Sequence, residues 1–416
     1  MRVLVIHQNF PGQFRHIAQA WASRKGWQVI GIGRETAPGL QGVRCLKYRP
    51  HRLPHKMQHP YLRSMESAVL HGQAVARLLQ KLKSSGFVPD VILAHPGWGE
   101  TMYAKSIFPK TRLIHFCEWY YQAKGADFGF DPEFPSHLDD ELRIQTWNAL
   151  HLLNLEKCDI AVTPTNWQHA QHPEAYREKI VVAHEGIGHV VPDAEASFAL
   201  PNRVRVKAGD PVITYVARNL EPYRGFHCFM RALERIQARH PSCQALIVGG
   251  DDVSYGRAPE SGQTWREQLA KEVRLDPDRT HFLGRLPYAQ YLRVLQVSAA
   301  HVYLTYPFVL SWSLLEAMSA GCLIVASDTA PVREVVRDGH NGLLVDFFDD
   351  QSIAERVLNA LESPSGMQDI KQRAREGVLR SYRRDLGLRT YDALVGTRTS
   401  QFNEGSVNVS LQQRAA

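Results

Sequence analysis

Two arginines six residues apart, Arg218 and Arg224, follow the apolar run 211–217 and precede Gly225. Two surface arginines mean little alone; six apart, after the first strand of a domain and with glycine next, they mean more, since a guanidinium fork can pair with phosphate oxygens. A second cluster lies further on. Residues 301–346 read as strand, loop, helix and strand, with the loop 306–311 feeding a helix expected over 313–320. A helix that starts after a strand presents unpaired backbone N–H groups and a partial positive charge. Val309, Leu310, Ser311, Trp312 and Ser313 are therefore a second candidate seat for phosphate. Glu316, expected in the first turn of that helix, can accept hydrogen bonds from two neighbouring sugar hydroxyls. The same spacing has a plainer reading: Ser313-x-x-Glu316 fits a capping box that satisfies the helix's own donors.

The N-terminal half offers histidines. Runs 90–95 and 112–116 read as strands, and ligands gather at the carboxyl ends of strands in open parallel sheets. His95 and His115 are placed at such ends, although a lone histidine after a strand is more often structural. Glu118 follows the second run as a candidate acid. Gly12, in the turn after the first strand (2–6), would let backbone approach a ligand; a plain tight turn fits it as well. The acidic, aromatic loop 123–135 lacks a D-x-D spacing, so no metal site is expected.

Elements that must hold these residues repeat along the chain. Apolar strand runs alternate with amphipathic helical stretches, and strand, loop and helix open both halves, at residue 2 and again at 211. No G-x-G-x-x-G accompanies them, so a dinucleotide fingerprint is not supported. With 416 residues the chain can build two cores. Six cysteines without CxxC spacing argue against a disulfide framework or zinc site, and for a reducing compartment. The first apolar run is a strand and not a signal peptide, and no run approaches the ~18 residues that span a bilayer. The net charge of +7 favours anionic partners, but no nucleic-acid-binding signature accompanies it. Its densest part, from Arg44 to Arg63, reads equally as a surface for acceptor or anionic membrane and as a solvated loop.

Residues 315–321 (LEAMSAG), 325–328 (VASD), 334–336 (EVV) and 339–344 (GHNGLL) match, in order and nearly in spacing, the retaining GT4-type glycosyltransferases of the GT-B fold. The resemblance extends from Arg2 to Val395 and is most specific from Pro211 to Asp346. It implies an α/β protein of two facing Rossmann-like doubly wound domains with an interdomain cleft. The implied boundaries are an acceptor-binding domain over 1–190, a linker over 191–209 and a nucleotide-sugar domain over 210–375. Helices over 376–396 would cross back to the first domain, and 397–416 would be a disordered tail.

The resemblance also implies chemistry. The donor would be a nucleoside diphosphate sugar, with UDP-sugars favoured over GDP-sugars, and there would be no cofactor. Arg218 matches the family's diphosphate arginine, and Arg224 stands at its lysine. Glu316 would hold the ribose, backbone near Leu286 would read the base, and the 309–313 N–H groups would face the phosphates. Gly12 would face the cleft, and His115 would lie beside the donor sugar. The acceptor would be a saccharide, a lipid-linked or a protein hydroxyl, in surface polysaccharide or glycoconjugate assembly. The location would be cytoplasmic, peripheral to the inner membrane face. One departure stands out: Phe308 occupies the position of the family's first glutamate. A 2-epimerase-like enzyme and a non-catalytic nucleotide-sugar binder are the rival readings.

Overall fold

The computed structural model describes residues 1–201 and 203–396. The tail expected over 397–416 lies outside the described residues. The chain forms two units: one of Met1–Gly186 together with the stretch from Arg384, the other Ile187–Arg383.

In the first unit seven strands form a sheet: β1 (Arg2–Ile6), β2 (Gln28–Arg34), β3 (Arg44–Tyr48), β4 (Val91–Ala94), β5 (Arg112–Phe116), β6 (Ile160–Thr163) and β7 (Ile180–Val182). All pairings are parallel, in the order β3-β2-β1-β4-β5-β6-β7. Helices cover both faces, which explains why these strands read as unbroken apolar runs. Alternation then divides each strand between two cores. Val3 and Val5 pack with Phe14, Ile17 and Trp21, whereas Leu4 and Ile6 pack with Val75, Leu79 and Leu82. The helix Arg384–Gly396 completes the first core with Tyr391, Leu394 and Val395. Asp392 fixes it, accepting from Trp21 Nε1 at 2.8 Å and from both terminal nitrogens of Arg24 at 2.8 and 2.6 Å.

The second unit begins with an antiparallel pair, β8 (Ser197–Ala199) and β9 (Arg205–Lys207). It then builds a parallel sheet from β10 (Val212–Asn219), β11 (Gln244–Gly250), β12 (Thr280–Gly284), β13 (Ala300–Tyr303), β14 (Leu323–Ser327) and β15 (Leu343–Val345). Its order is β12-β11-β10-β13-β14-β15. Thus the stretch expected to be a bare linker carries a hairpin. The region 376–396 also divides, since the helix Gln368–Ser381 stays with the second unit and only the helix from Arg384 returns to the first. In each sheet the strand order reverses once, between β1 and β4 and between β10 and β13. Such switch points leave a crevice at the carboxyl ends of the two strands.

Candidate functional site

The second unit's switch point collects most of the residues singled out above. Arg218 lies near the end of β10, where the register with β11 shifts between Val216 and Asn219. A bulge of this kind re-aims a side chain. The guanidinium is exposed and makes no hydrogen bond or ion pair with any described residue. Arg224 closes the short 3-10 turn Pro222–Arg224 and is buried. The turn works because Gly225 takes φ +66°; a Cβ there would meet Leu304 Cβ at 2.4 Å. Arg224 Nη1 donates to Thr305 Oγ1 at 2.7 Å and to the Val309 carbonyl at 3.0 Å. The arginine is thereby locked against the β13 loop. Its guanidinium carbon also lies 5.4 Å from the Tyr255 ring centroid and 5.9 Å from that of Phe308.

The helix fed by this loop runs Trp312–Ala320, with Ser311 as its N-cap. This corrects the local reading in three ways. Ser311 Oγ, not Ser313, caps, accepting from Ser313 N–H at 3.3 Å. Glu316 is consequently beyond the first turn, which holds no acid, and no capping box forms. Ser311 N–H is also occupied, donating to the Tyr303 hydroxyl at 2.9 Å. Of the five N–H groups proposed for phosphate, those of Ser311 and Ser313 already have partners, whereas those of Val309 and Leu310 have none among the described residues.

Glu316 is buried, and each carboxylate oxygen accepts a phenol: Tyr288 at 2.7 Å and Tyr291 at 2.8 Å. Burial and the neighbouring carboxylate push the Tyr291 hydroxyl well up, so it remains a donor. Tyr288 and Tyr291 share one face at the start of the helix Tyr288–Gln296. Leu286, just before that helix, is half-buried against the cluster of Leu246, Val248 and Val294.

Sequence reasoning missed Glu221. Its carboxylate is fully buried and accepts three backbone N–H groups, from Ser254 at 2.9 Å, Tyr255 at 3.2 Å and Gly256 at 2.9 Å. The irregular segment after β11 is thus tied down, and Tyr255 is held onto Arg224 and Phe308. Phe308 itself is buried, edge-on to Tyr223 (centroids 5.5 Å) and Tyr255 (5.1 Å). Aromatic packing fills the place where the family has an acid. Glu221→Gln removes the charge from these three bonds. Amide exchange at Ser254, Tyr255 and Gly256 is expected to accelerate about 30-fold, from about 2 kcal/mol of lost local protection. Hydrogen–deuterium exchange checks this, and unchanged protection would contradict the tether.

In the first unit the histidine assignment changes. His115 is an interior residue of β5, fully buried, with Nδ1 3.2 Å from the Asn154 carbonyl. It is therefore not at a strand end, because β5 continues through Phe116. His95 does follow its strand, with Nε2 3.4 Å from Glu118 Oε2. Gln13 Nε2 donates to Glu118 Oε1 at 3.1 Å. Burial opposes the Glu118 charge, but the His95 and Gln13 bonds outweigh it and hold the carboxyl below its ordinary value. Gly12, at φ +50°, lies against His7; a Cβ there would come within 2.5 Å of His7 Nε2. Its lack of a side chain thus serves a packing contact inside the unit.

Burial depresses His115 to about 3, and likewise His301, which bonds Thr214 Oγ1 at 2.8 Å in the second unit. The unfolded chain binds protons at these histidines below about pH 6.5 while the folded chain does not. Stability is therefore complete above that pH and is lost as pH falls from about 6.5 toward 3. Each group contributes a slope of about 1.4 kcal/mol per pH unit. Urea unfolding at pH 7.5 and 5.5 is expected to show the fall, with a smaller one in His115→Gln.

Comparison with known proteins covers both units. Residues 25–190 match the model of the Glycosyl transferase family 4 group, and residues 198–377 that of Glycosyl transferases group 1. The phosphatidyl-myo-inositol mannosyltransferase of Mycolicibacterium smegmatis is 29% identical over 172 residues, 40% of each chain. A D-inositol 3-phosphate glycosyltransferase of a Nocardioides species is 27% identical over 227 residues, 50% of this chain and 47% of that one. The chain thus spans less than half the length of these curated relatives. Among solved structures, the sucrose-phosphate synthase of Thermosynechococcus elongatus superposes with TM-score 0.71 at 19% identity, covering 95% of this chain and 98% of that one. Anabaena HepE in complex with UDP-glucose gives 0.67 at 16%, covering 95% and 100%. At these identities the likeness establishes the fold.

Proposed function

Because the chain belongs to the GT-B glycosyltransferases of the family 4 and group 1 type, we propose that it moves a sugar from a nucleoside diphosphate sugar to a hydroxyl acceptor with retention of anomeric configuration. The observation that carries this reading is that Arg224 is held at 2.7 and 3.0 Å to Thr305 and Val309, in the loop that feeds the helix Trp312–Ala320 at the β10–β13 switch point, with Arg218 near the end of β10. Leaving-group charge develops on the diphosphate during transfer. Arg218 supplies an exposed guanidinium to it, and the free N–H groups of Val309 and Leu310 supply fixed dipoles. Arg224 contributes a buried charge already oriented by Thr305 and Val309.

Glu316 holds the ribose in this proposal, oriented by Tyr288 and Tyr291, while backbone near Leu286 reads the base. UDP-sugars are the proposed donors. No cofactor or metal is assigned a step. The first unit takes a saccharide, lipid-linked or protein acceptor, in surface polysaccharide or glycoconjugate assembly. The solved relative with UDP-glucose and the mannosyltransferase relatives support that choice of donor and setting.

Peripheral contact with an anionic membrane on the cytoplasmic side belongs to the same proposal. Lys47, Arg49 and His51 share a surface recess with Arg77 and Lys81 of the helix Arg63–Ser84, and Leu53 and Met57 are exposed nearby in sequence. Among the described residues no helix is long and apolar enough to cross a membrane.

The experiment is calorimetry of the full chain with UDP, GDP and their glucose and mannose conjugates, beside an assay for released nucleotide with and without a glycoside acceptor. UDP binding with acceptor-dependent release is expected. Release of free sugar with UDP and no acceptor dependence would favour an epimerase-like enzyme. Binding without release would favour a non-catalytic binder, and absence of nucleotide binding would reject the site.

A further inference from the structure

A cation that serves a diphosphate must be reachable, yet Arg224 is only 8% exposed. Both N–H groups of its Nη1 are committed, to Thr305 Oγ1 and to the Val309 carbonyl. A guanidinium carries five N–H groups, so those of Nε and Nη2 are what remains for phosphate. Tyr255 lies over this guanidinium. Its ring centroid is 5.4 Å from the guanidinium carbon, and the two side chains share a hydrogen bond. Tyr255 is itself 38% exposed, so this cover over Arg224 is a surface side chain and not part of the core.

Backbone and side chain of Tyr255 are held differently. Glu221 takes the N–H groups of Ser254, Tyr255 and Gly256, and Asn219 Nδ2 donates to Ser254 Oγ at 2.7 Å. Trp265 Nε1 donates to the Arg257 carbonyl at 2.9 Å and fixes the chain on the other side. The ring rests on Tyr223 (centroids 5.9 Å) and edge-on against Phe308 (5.1 Å). Exposed side chains change rotamer within nanoseconds, so the ring can turn away while the peptide stays anchored. A phenol offers Arg224 one neutral acceptor, whereas a diphosphate brings negative charge and paired oxygens. The exchange favours the diphosphate, but its affinity is lowered by the contact it must break.

We propose that Tyr255 gates the diphosphate seat: its ring and hydroxyl cover Arg224 in this structure, and the diphosphate of a donor turns them out and takes their place on the guanidinium. This rests on the reading of Arg224 as a diphosphate ligand and goes beyond it by naming the residue that controls access. Tyr255 acts through Arg224, so it is a positioning residue.

The test is calorimetry with UDP on the full chain, as wild type, Tyr255→Ala and Tyr255→Phe. Tyr255→Ala is expected to bind UDP about 5- to 30-fold more tightly, the effect of one cation–π contact and one hydrogen bond no longer broken on entry. Tyr255→Phe keeps the ring and should show part of that gain. A purely structural role for the tyrosine would weaken binding or leave it unchanged, so the direction of the change is decisive. Fluorine NMR follows the side chain directly: with 3-fluorotyrosine placed at position 255, the resonance should move toward its solvent-exposed value when UDP is added. Equal or weaker UDP binding in Tyr255→Ala, or a fluorine resonance that UDP leaves in place, overturns the gate and leaves Arg224 as a diphosphate ligand. UDP affinity unchanged in Arg224→Ala, or no UDP binding to either wild type or Tyr255→Ala, rejects that ligand and the gate together.

Discussion

Arg224→Ala is expected to lower kcat/KM for a UDP-sugar by about a thousandfold and to destabilise the second unit by about 3 kcal/mol. The two losses have separate origins. On the proposed reading, the catalytic loss follows from removing a fixed cation from beside the departing diphosphate. The loss of stability follows from burial, because truncation strips Thr305 Oγ1 and the Val309 carbonyl of their shared donor and empties the space beside the Tyr255 and Phe308 rings. Arg224→Lys separates them, since a point charge cannot reproduce the guanidinium fork. It should recover part of the UDP affinity and little of the stability. Calorimetry with UDP and urea unfolding measure the two quantities, and unchanged UDP affinity in Arg224→Ala would remove this residue from the site.

Arg218→Ala should act differently. An exposed side chain with no partner among the described residues adds almost nothing to stability, so unfolding should move by less than about 0.5 kcal/mol. Donor turnover should nevertheless fall by about a hundredfold, as expected for one charge-assisted contact to phosphate. Steady-state kinetics beside thermal unfolding checks this. A variant as unstable as Arg224→Ala, or one with full activity, would contradict the assignment.

Much of this layout could be read in the chain because strands buried on both faces announce themselves as apolar runs. The two-sheet plan came from such runs and the turns between them, whereas the roles of Arg218, Arg224 and Glu316 rested on the family resemblance. The same property concealed the error at His115. A strand without polar alternation does not reveal where it ends, so an interior histidine passed for a terminal one. The helix start was misplaced for a related reason: Ser311 and Ser313 are both good caps, and what distinguishes them is the extended backbone of Ser311, whose Oγ accepts Ser313 N–H. Glu221 gave no signal, because its partners are backbone amides more than thirty residues ahead. The pair Tyr288 and Tyr291 was legible in principle, being three apart at a helix start, but their shared carboxylate lies on another helix.

The seam of Trp21 and Arg24 with Asp392 bears on how the protein is made. A ribosome releases Val3, Phe14 and Trp21 before the whole second unit, yet Tyr391, Leu394 and Val395 only after it. The nascent N-terminal unit must wait for them with one face of its core uncovered, while the interposed unit, unbroken in the chain, can finish folding first. Chaperone capture during synthesis should therefore concentrate on that waiting face, and stop codons placed ahead of Arg384 should yield chains that aggregate.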